Sequence, residues 1–122
     1  MLQAELLQEE FSITTTRLDG CLVVIVRGEL DELNASSLDQ TLTALPPGTP
    51  VIVDLSEVSF ICSGSLHVLL RDRPQGRPVL VAPPGNVRNV LAIVNTHRTT
   101  PIFDDRYTAL QSLTLSQLRQ TG

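Results

Sequence analysis

The sequence predicts an α/β fold: a mixed β-sheet that begins with an antiparallel hairpin and continues as alternating strands and about four helices packed on the sheet. Three observations carry this. Residues 11–26 hold two apolar, β-branched runs divided by Asp19-Gly20, a dipeptide favoured in tight hairpin turns. From Asn34 onward, segments with helical spacing alternate with short unbroken apolar runs. Proline and glycine clusters fall between them: Pro46-Pro47-Gly48, Pro74 with Gly76, and Pro83-Pro84-Gly85.

In order, residues 1–10 are an N-terminal extension with Leu2, Leu6 and Leu7 on one side of a short helix, which at this length needs something to pack on. Residues 11–122 form one domain. Phe11–Thr16 alternates and reads as a strand; Cys21–Val26 is its antiparallel partner, closed by Gly28. Leu38, Leu42 and Leu45 share a face of a helix over 34–45, with Asn34 or Ser36 as its cap. Val51–Leu55 lacks polar alternation, as a strand covered on both faces does. A second helix spans 63–71 with Leu66, Leu69 and Leu70 inward, and it is short before Pro74. Pro78–Ala82 is another buried strand. Asn86 caps a third helix, whose stripe of Val87, Val90, Leu91 and Val94 has the spacing i, i+3, i+4, i+7. Pro101–Phe103 is an edge strand, and a last helix runs from Tyr107 to about Leu118. Strands alternating with helices imply right-handed crossovers.

Composition narrows the function. The chain has 122 residues, 42% of them apolar but only 3% aromatic, so its core is built from Leu, Val, Ile and Ala. Net charge is -4, and the nine basic residues form no run or stripe, which argues against a nucleic-acid surface. No apolar stretch reaches the roughly 18 residues of a membrane span, and the first ten residues do not read as a secretory signal. Cys21 and Cys62 are too few for a disulfide framework or a zinc site, so no metal is expected. Both thiols should be reduced, in a bacterial-type cytoplasm. Gly64 and Gly76 are isolated, so no phosphate cradle and no cofactor are expected.

The chemistry concentrates at Val51–Leu70, where a buried strand leads through a short loop to Ser63-Gly64-Ser65 and a helical pattern. A serine at a helix N-terminus sits among unpartnered backbone N–H groups in a favourable field for negative charge. It can carry a phosphate or simply cap the helix.

Three segments give the chain a resemblance to the STAS domain, the fold of bacterial anti-sigma factor antagonists. Arg27-Gly28-Glu29-Leu30-Asp31 resembles the family's G-E-L-D segment. Val51–Ile61 resembles its hydrophobic-D-L-S-x-V strand and loop. Pro101–Asp105, followed by Ala109-Leu110, resembles its end signature. The match spans roughly residues 11–118. The resemblance implies a non-catalytic module that regulates transcription by binding an anti-sigma factor with a serine-kinase fold, thereby releasing a sigma factor. It also implies Ser63 as the phosphoacceptor, by ungapped alignment with D-S-S/T-G-L-G. In that motif Cys62 stands in place of aspartate, Gly64 in place of the second Ser/Thr, and Ser65 and His67 in place of glycines. Docking would involve the 29–33 loop after the second strand with Glu29, Asp31 and Glu32, the 59–65 loop with Cys62, Gly64 and Ser65, and the exposed side of the second helix with His67.

Each of these residues also has a plainer reading. Ser63 can be an N-cap. Cys62 can fill space at a strand end rather than act as a redox thiol. The acidic cluster can be a solvated loop, and Asp54 can bond nearby backbone N–H groups. Ser63 and His67 stand i, i+4, which invites a serine-hydrolase reading, but no third carboxylate, G-x-S-x-G elbow or oxyanion hole is legible. His97 and Arg98 have no metal partners in the pattern. Beside the phosphorylated switch stands an unphosphorylated STAS scaffold or ligand-sensing subunit, which Cys62, Gly64 and the short second helix favour.

Overall fold

In a computed structural model, residues 10–74, 76–95 and 100–121 are described, with side-chain exposure as far as 115. The proposed helix in the N-terminal extension, and His97 and Arg98, lie outside them. The hairpin forms where expected. Strand β1 (Ser12–Leu18) pairs antiparallel with β2 (Cys21–Leu30) around a turn in which Asp19 and Gly20 both take positive φ. Helix α1 (Glu32–Ala44) leads to β3 (Val51–Ile61), α2 (Ser63–Leu70) to β4 (Val79–Val81), and α3 (Asn86–Val94) to β5 (Ile102–Phe103). Helix α4 (Arg106–Thr121) follows. The five strands lie in the order β1-β2-β3-β4-β5, and every pair after the hairpin is parallel.

Strand periodicity divides the core into two layers. Val24, Val26, Val53, Leu55 and Leu80 point to one face, where Leu38 and Leu42 of α1, Leu69 and Leu70 of α2, and Val87 and Leu91 of α3 bury them. Val23, Ile52, Val79 and Val81 point to the other, which Ala109, Leu110 and Leu113 of α4 cover. Burial on both faces explains the unbroken apolar runs.

Two strands run further than the sequence suggests. Gly28 does not close β2. It sits inside the strand at φ 95° beside irregular pairing, and a Cβ there would stand 3.0 Å from Phe11 Cα, so glycine lets the chain entering β1 pass close. β2 continues to Leu30, and β3 stays paired beyond Leu55 until Leu30 meets Ile61. The expected loop before α2 is therefore mostly strand, and this extension aims α2.

The caps also shift. Asp31, not Asn34 or Ser36, caps α1, its Oδ1 accepting the Asn34 N–H at 2.8 Å. Gly85, not Asn86, is the N-cap of α3. Helix α2 is short, as expected. After Leu70 the chain turns extended, and the almost fully buried Arg73 side chain donates to the Val68 carbonyl near the helix end and to Asp39 of α1.

Candidate docking site

The site grows from the end of β2. The Leu30 carbonyl accepts two hydrogen bonds, from the Cys62 N–H at 3.0 Å and from the Ser65 hydroxyl at 2.9 Å. These fix the start of α2 to the sheet from inside. Cys62 is the N-cap but offers no side-chain capping bond; its half-buried sulfur lies 3.4 Å from Ser65 Oγ. Ser63 is therefore the first helical residue rather than the cap, and it is exposed.

From there α2 presents one face to solvent. Ser63, Leu66, His67, Leu70 and Arg71 form one wall of an open groove of about 400 Å³, and Ile93 and Val94 of α3 form the other. Ile93 is 73% exposed and Val94 40%, so this wall is apolar and largely uncovered. Leu33 at the start of α1 and Phe60 near the end of β3 are also exposed, at 79% and 49%. Glu29 pairs with Phe60 across the sheet, while its carbonyl accepts from Asn34 Nδ2.

The structure sorts the sequence-predicted residues. Ser63, His67 and exposed Glu29 and Glu32 present side chains to solvent, whereas Asp31 is half-buried and engaged as a cap. Ser65 is a correction: it is fully buried, because its hydroxyl reaches inward to Leu30, and its side chain offers no partner contact. Gly64 lies under the Glu32 carboxylate. Asp54 bonds the Ser56 N–H as expected and also takes both Nε and Nη2 of Arg106 at 2.8 Å, tying the first residue of α4 to β3. Cys21 is buried, and burial, helped by the Asp19 charge, pushes its thiol pKa up, which keeps the thiol protonated and unreactive.

The sequence places Leu33 and Phe60 within the 29–33 and 59–65 loops of the expected docking face without singling out either side chain, and it misses Ile93. Their signal was present: each is apolar yet stands off the buried stripe or among polar neighbours. Among the described residues no hydrogen bond joins Ser63 to His67, and no group of three or more His, Cys, Asp and Glu residues could hold a metal ion. No helix among them is long and apolar enough to cross a membrane.

Known structures share this fold. An anti-sigma factor antagonist from Mycobacterium paratuberculosis matches with TM-score 0.73 and 26% identity, over 87% of this chain and 97% of its own. The anti-sigma factor antagonist SpoIIAA in its unphosphorylated form matches with TM-score 0.65 and 16% identity, over 84% and 96%. The phosphorylated form of SpoIIAA, described as a Bacillus cell fate determinant, gives 0.57 and 17%, over 85% and 99%. At these lower identities the two SpoIIAA structures speak to the fold alone. No curated protein sequence matches. The family profile described as "Mlab, STAS domain" matches residues 13–103, most of the chain. With a mixed sheet that opens in a hairpin, helices on both faces and a profile match of that length, the chain belongs to the STAS domain family.

Proposed function

We propose that this STAS domain is a non-catalytic regulatory module of the anti-sigma factor antagonist type, which docks on an anti-sigma factor with a serine-kinase fold and is released when Ser63 is phosphorylated. The observation that carries this reading is the exposed Ser63 hydroxyl on the rim of an uncovered apolar groove between α2 and α3. The antagonist from Mycobacterium paratuberculosis lends support at 26% identity. Leu66, Ile93 and Val94 supply the apolar area an interface centre needs, His67 and Arg71 supply polar edges of the groove, and Glu29 and Glu32 are exposed on the neighbouring elements. A phosphate on Ser63 adds a charge of about -1.5 to -2 at the mouth of that groove. It blocks docking by desolvation and repulsion while the fold stays intact.

Incubation with the cognate anti-sigma factor and ATP tests the assignment. Radiolabel should enter the wild-type chain and be lost in Ser63→Ala; label that persists in the variant overturns the site.

A second reading has its own support. Cys62 in place of an acidic residue, and Gly64 lying under Glu32, distinguish this loop from the phosphorylated pattern. They favour a constitutive STAS scaffold or ligand-sensing subunit that uses the same groove without the switch. A partner complex indifferent to charge at position 63 would select it.

A further inference from the structure

Glu32, the first residue of α1, turns its carboxylate toward the first turn of α2. A Cβ added to Gly64 would stand 2.8 Å from Glu32 Oε2 and 3.5 Å from Oε1, so only glycine leaves room for this approach. The carboxylate has no cation: among the described residues no basic side chain pairs with Glu32. The helix it faces has no side-chain cap at Cys62. An unpaired negative charge thus rests beside the positive end of α2, next to the residue proposed to be modified.

The other charges nearby are already placed. Asp31 is half-buried as the α1 cap, and Arg71 is held by Asp39 at 2.6 Å. Glu29 is exposed at the end of β2, and His67 lies one turn along α2. Glu32 is therefore the charge that a modification at Ser63 meets across Gly64.

We propose that Glu32 sets the response of this protein to modification at Ser63: its carboxylate lies against the first turn of α2 at Gly64, and the charge of a phosphate on Ser63 is repelled by it there. In this chain the negative charge is carried by the neighbouring helix rather than by residue 62. Phosphorylation then does two things. It adds charge to the groove, and it pushes Glu32 and the start of α1 away, so both halves of the docking face change together. Gly64 is the permissive residue of the device.

The inference rests on the proposed phosphoacceptor role of Ser63, and its test separates the two. Phosphoserine installed at position 63 during translation needs neither kinase nor partner, so absence of kinase labelling would overturn the functional reading and leave this measurement intact. The phosphate's second ionisation, ordinarily near 6, is followed by phosphorus NMR. It should be about half a unit higher in the otherwise wild-type protein than with Glu32→Gln, a roughly threefold change in proton affinity. Gly64→Ala, which forces the carboxylate aside, should match Glu32→Gln. Backbone amides at 32–35 should shift on phosphoserine installation in the wild type. Equal ionisation in all three proteins overturns the proposal.

Discussion

Helices α2 and α4 each follow a strand and pack on opposite faces of the sheet, yet their first turns are built differently. At α4 the Asp105 carboxylate accepts the Thr108 N–H at 2.7 Å and the Thr108 hydroxyl at 2.9 Å, and Arg106 grips buried Asp54. The Asp105, Arg106 and Thr108 side chains of that turn are all used to hold the helix. At α2 the fastening is internal: the Cys62 N–H and the Ser65 hydroxyl converge on the Leu30 carbonyl. Among the described residues, no hydrogen bond of the outward Ser63 side chain holds the turn. A turn secured from inside can change the chemistry of its outer side without losing its position, which is what a modifiable docking residue requires.

The strongest way to break this comparison is to place charge at the outer position. Ser63→Asp should weaken partner binding by about 2 kcal/mol, roughly thirtyfold, because a carboxylate must be desolvated at the groove mouth. Its unfolding transition should stay within about 0.5 kcal/mol of wild type, as exposed substitutions do. Calorimetric titration with the partner, alongside a urea melt, reads both numbers. Undiminished affinity would select the constitutive scaffold.

The inner position should behave in the opposite way. Ser65→Ala removes a buried hydroxyl, but the Leu30 carbonyl keeps the Cys62 N–H. The cost is therefore that of one net hydrogen bond, about 1 kcal/mol, rather than that of an orphaned acceptor. For a domain of this size that lowers Tm by about 3–5 °C. If Ser63→Ala destabilised the fold as much as Ser65→Ala, the division between the outer and inner sides of this turn would fail.

These two serines also mark where sequence reasoning stops. The hairpin, the alternating order and Val87, Val90 and Leu91 of the α3 stripe were legible because hydrophobic period and turn chemistry are local, whereas Val94, the last residue of that stripe, lines the open groove instead. The position of Ser63 at a strand-to-helix junction was legible for the same reason. The inward aim of Ser65 was not, because it depends on how far β2 and β3 continue together. Gly28, Ser56 and Glu57 read as strand ends, yet Arg27 pairs with Glu57 and the ladder runs on to Leu30 and Ile61. A glycine or a polar pair ends a strand only when no neighbour supplies hydrogen bonds. Asp54 and Arg106 stand 52 positions apart, and no local pattern joins them. The approach of Glu32 to Gly64 is of the same kind, a contact between two elements that only packing reveals.

The smallest effect sharpens the contrast at the other helix. The Thr108 N–H and then its hydroxyl, with a lesser share from the Tyr107 N–H, hold the Asp105 carboxyl below its ordinary value of 3.8 against the opposing effect of desolvation. A carboxyl whose pKa is lower in the folded than in the unfolded chain binds its proton less readily when folded. Its contribution is fully present above about pH 4 and fades as pH falls through the depressed folded value. Asp105→Asn should therefore flatten part of the acid limb of the stability profile below about pH 4, with little change near neutrality because asparagine also caps. Position 62 carries no carboxylate and makes no side-chain capping bond, so Cys62→Ser should leave the acid limb unchanged. Urea melts across the acid range compare the two variants directly, and an acid limb that keeps its slope in Asp105→Asn would remove α4 as the bonded counterpart of α2.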